Sequence, residues 1–475
     1  MHLYLNALSP SESRGPSVQP HQARTSRAAR CWSLLALTVL TVSLAGCSLW
    51  QPQAADSYEA QVRRIAGPYV FDLVAWEVRA VAAQTVKWAT VERVGPASSE
   101  ARALVLQYLA LTNHIGRIQD ELERAHASAP CPGQQQEEAA ALEHRLAALR
   151  QLQAVRRPLV ERILESQVES VIAEEGLGWL GTSLPPLAFV FTEPPNYLVL
   201  SPRAEIRLRM GVYLVPELPL QEIELLEARL EAELPNTSAL ISATGGFSTW
   251  PTMIVDRASL AWILSTIAHE WTHLYLEPFP LGRNYHASPD LTAINETVAQ
   301  IVGDEIGAEA LRRYYPALAP EDRVATQLSE QVETSAEDEP GFDYNREMRL
   351  TRETVDALLA RGLVAEAEAY MEERRQVFLR NGYVVRKLNQ AYFAFHGSYR
   401  TGPAAPKKDP IAPRLLSLRA ETASLRQFLL EVRDMSSLDD LLQRVPGPAA
   451  QEPVPLLLFA RGATRSRGAL TAQQR

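Results

Sequence analysis

One strongly apolar segment, residues 258–276, carries two histidines and a glutamate in a fixed spacing, and it constrains the fold more than any other stretch. His269, Glu270 and His273 form the pattern H-E-x-x-H. On an α-helix, residues four apart share a face, so both imidazoles can reach one metal ion. A helix this apolar is expected to be buried, and buried imidazoles need partners. The segment therefore predicts a buried helix that supplies two ligands to a zinc ion.

The helical wheel separates the two histidines from the large apolar side chains. At 100° per residue, His269 and His273 lie about 40° apart. The opposite side carries a cluster of large residues: Leu260, Ile263, Leu264, Ile267, Trp271 and Leu274. One face is thus expected to join the core while the other presents ligands. Glu270 is expected to take a proton from a water molecule at the metal and to pass it to the leaving amine.

A catalytic zinc ion takes three protein ligands and keeps one position open, so a third ligand must come from elsewhere. Glu296 follows His273 by 23 residues and lies on a helix predicted over residues 289–314. Its face is opposite to the apolar residues of that helix and includes Gly303, where the missing side chain would let two helices approach closely. Three other residues remain as alternative third ligands: Glu305, Glu277 and His286.

Over residues 257–310, the H-E-x-x-H pattern followed by Asn295-Glu296 resembles the gluzincin metallopeptidases of the thermolysin-like class. The metzincin pattern is excluded, since Leu276 and Phe279 stand where it has a glycine and a third histidine. The resemblance implies zinc as the cofactor, Glu296 as the third ligand and a peptide or protein substrate. One departure concerns the aspartate that orients a histidine in thermolysin-like enzymes. Its position is Gln300 here, so Asp304 or Asn295 is expected to do that work.

A downstream segment, residues 386–399, offers donors that would stabilise the oxyanion formed when a carbonyl is attacked. On a helix predicted over residues 383–398, Asn389, Tyr392, His396 and Tyr399 would share one stripe. Tyr392, His396 and Tyr399 are therefore candidate catalytic residues. The alternative, of equal weight, is that Tyr392 belongs to the core and His396 is a helix-end histidine with structural partners.

A segment before the motif helix, Gly245-Gly246-Phe247, is a candidate for substrate binding. Zinc peptidases often bind an extended peptide along an edge strand through backbone hydrogen bonds. The glycines would let a peptide approach, and Pro251 would hinder unwanted strand pairing. An equally weighted alternative is a plain loop between two strands.

Patterns elsewhere predict a predominantly α-helical α+β protein. Apolar residues at three- and four-residue steps predict a helix over residues 58–93. Two longer helices, over residues 98–127 and 134–175, are joined by a Pro-Cys-Pro-Gly turn and predict an antiparallel hairpin. It would either cover the core or serve as a partner-binding arm. Short β-rich runs between residues 187 and 255 predict a small mixed sheet just before the zincin-like motif helix.

The hairpin prediction names the residues that should face one another. The first helix would contribute Leu104, Leu111, Ile115, Ile118 and Leu122. The second would contribute Leu142, Leu146, Leu149, Leu152 and Val155. The expected organisation is an N-terminal helical region at 47–175, a zincin-like metallopeptidase domain at 176–400, and C-terminal helices with a partly disordered tail at 401–475.

Residues 1–46 are predicted to be a signal peptide. Basic residues precede an apolar run at 32–44 that is too short to span a bilayer comfortably. Leu44-Ala45-Gly46-Cys47 is similar to the bacterial lipobox, whose cysteine is acylated and becomes the mature N-terminus. Cys47 would then anchor the chain to the extracytoplasmic side of a membrane in a bacterial cell envelope. An ordinary secretory signal or a weak membrane anchor are the alternatives.

Taken together, these features predict a membrane-anchored, extracytoplasmic zinc peptidase. The net charge of −9, with both signs mixed along the chain, gives no footprint for nucleic acid. The main alternative is a non-catalytic envelope lipoprotein with a structural zinc site and a helical partner-binding arm. An intramembrane protease is disfavoured because Glu277, Pro278 and Arg283 follow the motif directly.

Overall fold

The computed structural model describes residues 57–445, except residues 93, 128–133, 180–181, 319–341 and 408. The predicted signal peptide, Cys47 and the tail beyond residue 445 lie outside the described residues. The described chain has a predominantly helical α+β fold, which confirms the predicted fold class. Within it, no helix combines the length and the hydropathy needed to cross a membrane.

Two helices replace the single N-terminal helix that the sequence predicts. Helix α1 spans Tyr58–Ala66, a 3-10 turn spans Gly67–Tyr69, and α2 spans Leu73–Thr90. The break falls at Pro68, because proline lacks the amide hydrogen that would continue α1. Asp72 then begins α2 by accepting a hydrogen bond from the amide of Ala75 at 2.9 Å.

The helical hairpin consists of α3, Ser99–Ala127, and α4, Gln134–Glu174, close to their predicted bounds. The distal halves pack on each other through a small apolar cluster of Leu111, Ile115, Ile118 and Leu146. The C-terminal half of α4 enters the main core of the protein. Leu152 and Val155 do not face α3 as predicted but are exposed. At that level the inward position belongs to Gln153, which is buried and donates to Thr112 Oγ1 at 2.9 Å.

Two three-stranded sheets stand where one mixed sheet is predicted. The antiparallel sheet has the order β5-β4-β6, with β4 Asn196–Pro202, β5 Met210–Leu214 and β6 Thr237–Ser242. The mixed sheet has the order β3-β8-β7, with β3 Phe189–Phe191, β7 Gly246–Phe247 and β8 Thr252–Ile254. A short ladder joins β1, Gly178–Trp179, to β2, Thr182–Ser183, and helix α5, Leu220–Glu233, packs on β6.

The centre of the fold is a pair of closely packed helices. Helix α6 spans Leu260–Leu276 and α8 spans Pro289–Tyr314, with the short helix α7, Pro280–Arg283, between them. Ser259 and Ser288 cap the two long helices through their hydroxyls. A Cβ on Gly303 would lie 2.8 Å from the Ser265 carbonyl oxygen, so this glycine permits the close approach that the sequence predicts.

The C-terminal part adds six helices in two groups. Helices α9, Tyr344–Ala360, α10, Val364–Arg380, and α11, Gln390–His396, contribute to a second apolar cluster. Helices α12, Ile411–Glu421, α13, Leu425–Val432, and α14, Leu438–Arg444, pack against α8 in the main core. Helix α11 is shorter than the predicted 383–398, because Asn389 caps its start and Gly397 follows its end.

Candidate metal centre

Three side chains from α6 and α8 converge on one point. The Nε2 atoms of His269 and His273 are 3.1 Å apart. Glu296 Oε2 lies 3.4 Å from His269 Nε2 and 3.8 Å from His273 Nε2. Ligand atoms at the corners of a tetrahedral zinc site, with bonds of about 2.1 Å, are about 3.4 Å from one another. The three predicted ligands therefore lie together at the spacing that a zinc ion requires.

The carboxylate of Glu296 provides a test of whether a cation fits at this point. Its Oε2 atom is buried and makes no aligned hydrogen bond, although His269 Nε2 is near. A buried carboxylate oxygen without a partner is costly, and a cation between the three ligand atoms would remove that cost. Two imidazoles and one carboxylate are also a donor set of catalytic zinc sites. The residues fit zinc.

Asn295 orients one of the histidines. Its Oδ1 atom lies 2.7 Å from His273 Nδ1, and its amide nitrogen donates to the Leu281 carbonyl at 3.3 Å. That second bond fixes the amide so that Oδ1 accepts, which places a hydrogen on His273 Nδ1. Nε2 of His273 is then free to bind a metal. Of the two residues predicted for this role, Asn295 is the one in contact with a ligand.

Gln300 and Asp304 support the helix pair one turn away from the ligands. Asp304 Oδ1 accepts hydrogen bonds from Ser265 Oγ at 3.0 Å and from Gln300 Nε2 at 2.8 Å. Ser265 precedes His269 by one helical turn, so this contact fixes α8 against the ligand-bearing part of α6. Glu305, an alternative ligand, is instead paired with Arg419 through both carboxylate oxygens.

Tyr285 is a site residue that the sequence reasoning missed. Its hydroxyl donates a short hydrogen bond to Glu296 Oε1, and its ring lies 5.9 Å from the His273 ring. Burial, together with the charge of Glu296, raises the pKa of Tyr285 well above its usual value, so the phenol stays protonated. Because Oε1 is occupied by this bond, Oε2 is the oxygen left for a metal. The available signal was a tyrosine in the short connection between the two ligand helices.

The two glutamates of the site have pKa values that are shifted in opposite directions. Burial, with a smaller contribution from Glu296, raises the pKa of Glu270 to about 7, although His269 opposes the shift. Burial would also raise the pKa of Glu296, but His273, His269 and Tyr285 outweigh it and lower that pKa to about 2. Glu296 is therefore an ionised ligand, whereas Glu270 can gain or lose a proton near neutral pH, as a general base must.

The strand β7 lies at one edge of the mixed sheet, beside Glu270, which agrees with the edge strand predicted at Gly245-Gly246-Phe247. A Cβ on Gly246 would lie 2.4 Å from Glu270 Oε1, so only glycine leaves room for this carboxylate. The amide of Val255 donates to the Gly245 carbonyl at 3.0 Å. Residues alternate along an antiparallel ladder, so the amide and carbonyl of Gly246 point away from β8.

The opposite edge of this sheet is closed by side chains of α2 and α4. The amides of Phe189 and Phe191 in β3 donate to Glu165 and Glu161, at 3.3 and 2.8 Å. The Phe189 carbonyl accepts from Lys87 Nζ at 2.8 Å. Of the two edges of the mixed sheet, β7 is therefore the one at which an additional strand can pair.

One of the three oxyanion candidates, Tyr399, has its ring near a proposed ligand. The Tyr399 ring is 6.3 Å from the His269 ring. Tyr392 packs in the second apolar cluster, with its hydroxyl 3.3 Å from that of Tyr344, and the His396 ring lies 4.3 Å from the Tyr392 ring. Burial lowers the pKa of His396 to about 4, so this ring is neutral. The predicted common stripe is wrong for Tyr399, because the helix ends before it.

Comparison of the chain with protein-family models, curated proteins and solved structures gives no match. The chemistry of the site therefore has to be inferred from its own residues. Those residues form a buried His-His-Glu cluster, a glutamate that titrates near neutral pH, a protonated tyrosine and an open strand edge.

Proposed function

We propose that this protein is a zinc-dependent peptidase of the gluzincin type. The observation that carries the proposal is the convergence of His269, His273 and Glu296, with Glu270 alongside. A structural zinc site is normally closed by four protein ligands. The metal-ligating cluster of the described residues has three members, which supports a catalytic site.

In the proposed hydrolysis, a bound zinc ion and side chains of the protein have separate roles. Bound zinc would polarise the substrate carbonyl and make water more acidic. Glu270 accepts the proton of the attacking water and then delivers it to the amine nitrogen as the peptide bond breaks. In the metal-free chain burial raises the pKa of Glu270 to about 7, which shows that this carboxyl group can hold a proton in its buried position between the two transfers. Tyr285 donates its one hydroxyl hydrogen to Glu296 Oε1 and so holds that carboxylate, whereas Tyr399, whose ring lies 6.3 Å from the His269 ring, would stabilise negative charge on the former carbonyl oxygen.

The substrate would bind as an extended peptide along β7. The outward-pointing amide and carbonyl of Gly246 offer a pair of backbone hydrogen bonds next to Glu270. Phe247 follows on the same strand, and its ring lies 4.4 Å from the Tyr213 ring. A peptide paired here would have its backbone beside the general base, which is the position that hydrolysis requires.

The proposed location is the extracytoplasmic face of a bacterial membrane, with Cys47 carrying the lipid anchor. Support comes from the order of basic region, apolar run and lipobox-like tetrapeptide in the sequence. The proposed substrate class is peptides or proteins that reach this side of the membrane.

The experiment is proteomic cleavage profiling of the wild type against Glu270→Gln, with zinc content measured on both preparations. We expect Glu270→Gln to keep its zinc and to lose hydrolysis by about 10²- to 10⁴-fold, because only the proton acceptor is removed. Glu277→Gln is the matched control, since Glu277 follows α6 and stands outside the ligand cluster. Equal cleavage by the wild type and Glu270→Gln would refute the proposal.

A further inference from the structure

Helix α2 buries two polar residues beside two half-buried tryptophans, Trp76 and Trp88, and exposes three of its four valines. Its two fully buried residues are Gln84 and Lys87. Val74, Val78 and Val86 are exposed by 41%, 50% and 60%. Surface helices normally do the reverse and bury an apolar stripe. The exposed valines therefore suggest that another surface contacts this face of α2.

The inward side of α2 is fixed by a network of buried hydrogen bonds. Lys87 Nζ donates to Glu161 Oε2 at 2.9 Å, to Glu165 Oε1 at 3.0 Å and to the Phe189 carbonyl at 2.8 Å. Gln84 Nε2 donates to Glu165 Oε1 at 3.0 Å. Rotating the helix to bury its valines would take Lys87 away from Glu161 and leave Glu165 with Arg162 alone, which is strongly unfavourable for two buried carboxylates. The apolar face is therefore held outward by the fold.

The outward face is continuous and almost uncharged. At 100° per residue it collects small and apolar side chains: Val74, Ala75, Val78, Ala82, Thr85, Val86 and Ala89. The charged helix residue on this side is Arg79, at its border. Val70, just before the helix, is also exposed, so residues 70–86 hold four of the twelve large exposed hydrophobic residues of the described chain. Such clustering marks a contact surface.

We infer that this outward face of α2 lies against the lipid bilayer that holds the anchor at Cys47. The inference rests on the proposed lipid anchor and goes beyond the proposed peptidase. Ser57, where the described chain begins, is ten positions after Cys47, and a chain of that length reaches at most about 35 Å. The bilayer is thus within reach of α2, which follows α1 directly. An uncharged face bordered by an arginine suits shallow contact with acyl chains and anionic headgroups.

This contact would orient the candidate metal centre relative to the membrane. Lys87 links α2 to the carbonyl of Phe189 in β3, and β3 belongs to the same sheet as β7. The open edge of β7 would therefore have a fixed direction with respect to the bilayer. Substrates would approach the candidate metal centre from a defined side rather than from any direction.

The test uses the lipidated full chain in vesicles of equal parts phosphatidylethanolamine and phosphatidylglycerol. In a Cys131→Ser background, Val78→Cys carries an environment-sensitive fluorophore, and spin-labelled lipids serve as quenchers. Leu225→Cys is the matched control, because Leu225 is a 65% exposed residue on α5. We expect a blue shift at Val78→Cys and quenching at least about twofold above that of Leu225→Cys.

Three outcomes would overturn the inference. Equal quenching at both positions means that α2 does not touch lipid. A blue shift at Val78→Cys that needs no vesicles and grows with protein concentration means that a second copy covers the face. A chain that does not float with the vesicles refutes the anchor and the α2 contact together, while the cleavage comparison of wild type with Glu270→Gln stays independent of all three.

Discussion

Two buried polar clusters in this protein use the same helical spacing and are completed in different ways. On α4, Glu161 and Glu165 are one turn apart, and both accept hydrogen bonds from Lys87 at 2.9 and 3.0 Å. Arg162 adds a second cation, 2.9 Å from Glu165. On α6, His269 and His273 are one turn apart and face Glu296, whose contacts are the two imidazoles and the Tyr285 phenol.

The difference lies in where the compensating charge comes from. The α4 cluster contains as many cations as carboxylates, so it is balanced within the chain. In the α6 cluster an ionised carboxylate faces ring nitrogens, and its Oε2 stays unsatisfied. Buried charge requires compensation. The α4 cluster is balanced by the lysine and arginine of the chain, whereas the carboxylate oxygen of the α6 cluster that lacks a hydrogen bond supports the proposed metal site.

The largest expected effect is the loss of zinc binding when a proposed ligand is removed from the α6 cluster. His273→Ala is expected to weaken zinc binding by about a thousandfold or more, since two ligands cannot hold the ion. The measurement is zinc content after dialysis, with circular dichroism to follow the fold. His286→Ala is the matched control, because His286 is an exposed histidine close to the site. Zinc retained by His273→Ala would contradict the assignment of the ligand set.

Removing Lys87 from the α4 cluster should lower the free energy of unfolding and leave zinc binding unchanged. Lys87→Met is expected to lower the free energy of unfolding by about 3–5 kcal/mol, because the buried carboxylate of Glu161 loses its cation and that of Glu165 keeps only Arg162. Denaturant unfolding measures this change. Lys407→Met is the control, since the Lys407–Glu353 pair is exposed and should contribute at most about 1 kcal/mol. Similar losses in both variants would remove the distinction between a structural and a surface pair.

In the metal-free protein, the free energy of unfolding should fall with rising pH because of Glu270. The pKa of Glu270 is about 7 in the folded chain and near 4.5 when unfolded, so the folded state holds its proton more tightly. The contribution of this group to the free energy of unfolding is therefore complete below pH 4.5 and is lost as the pH rises through 7. In chelator, Glu270→Gln should therefore become more stable than the wild type by about 3 kcal/mol at pH 8. A stability difference that does not change between pH 4 and pH 8 would contradict the assigned burial of Glu270.

The smallest expected effect concerns the residue that orients His273. Asn295→Leu removes the acceptor for Nδ1, and zinc affinity is expected to fall by about 10- to 100-fold. Asn295→Asp retains an acceptor at the same place and should restore affinity. Competition with a chromophoric chelator measures both values. If Asn295→Asp binds as weakly as Asn295→Leu, packing rather than hydrogen bonding explains the loss.

The sequence predicts well what depends on residues close together in the chain. The bounds of α8 and the shared face of His269 and His273 follow from helical periodicity and capping, which are local. Glu296 was predictable because Asn295-Glu296, on a helix after H-E-x-x-H, resembles the gluzincin pattern, and the two-sided build of its helix supported that choice. The close packing of α6 on α8 was also visible, since Gly303 shares the face of Glu296.

What the sequence could not predict depends on contacts between distant segments. The spacing of Val74 and Val78 predicts a helix but does not tell which face is buried. The buried face is determined by the hydrogen bonds of Lys87 to Glu161 and Glu165, which lie more than seventy positions further along the chain. Tyr285 reaches Glu296 only because of the path taken by the loop between two helices. Tyr399 reaches His269 from beyond the end of α11, where helical periodicity no longer applies.

The most direct test of the central claim is the zinc content of the purified wild-type chain, measured by elemental analysis after exposure to zinc and exhaustive dialysis. His269, His273 and Glu296 form one cluster, so one zinc ion per chain is the predicted result. A folded chain that retains no zinc under these conditions would contradict the account.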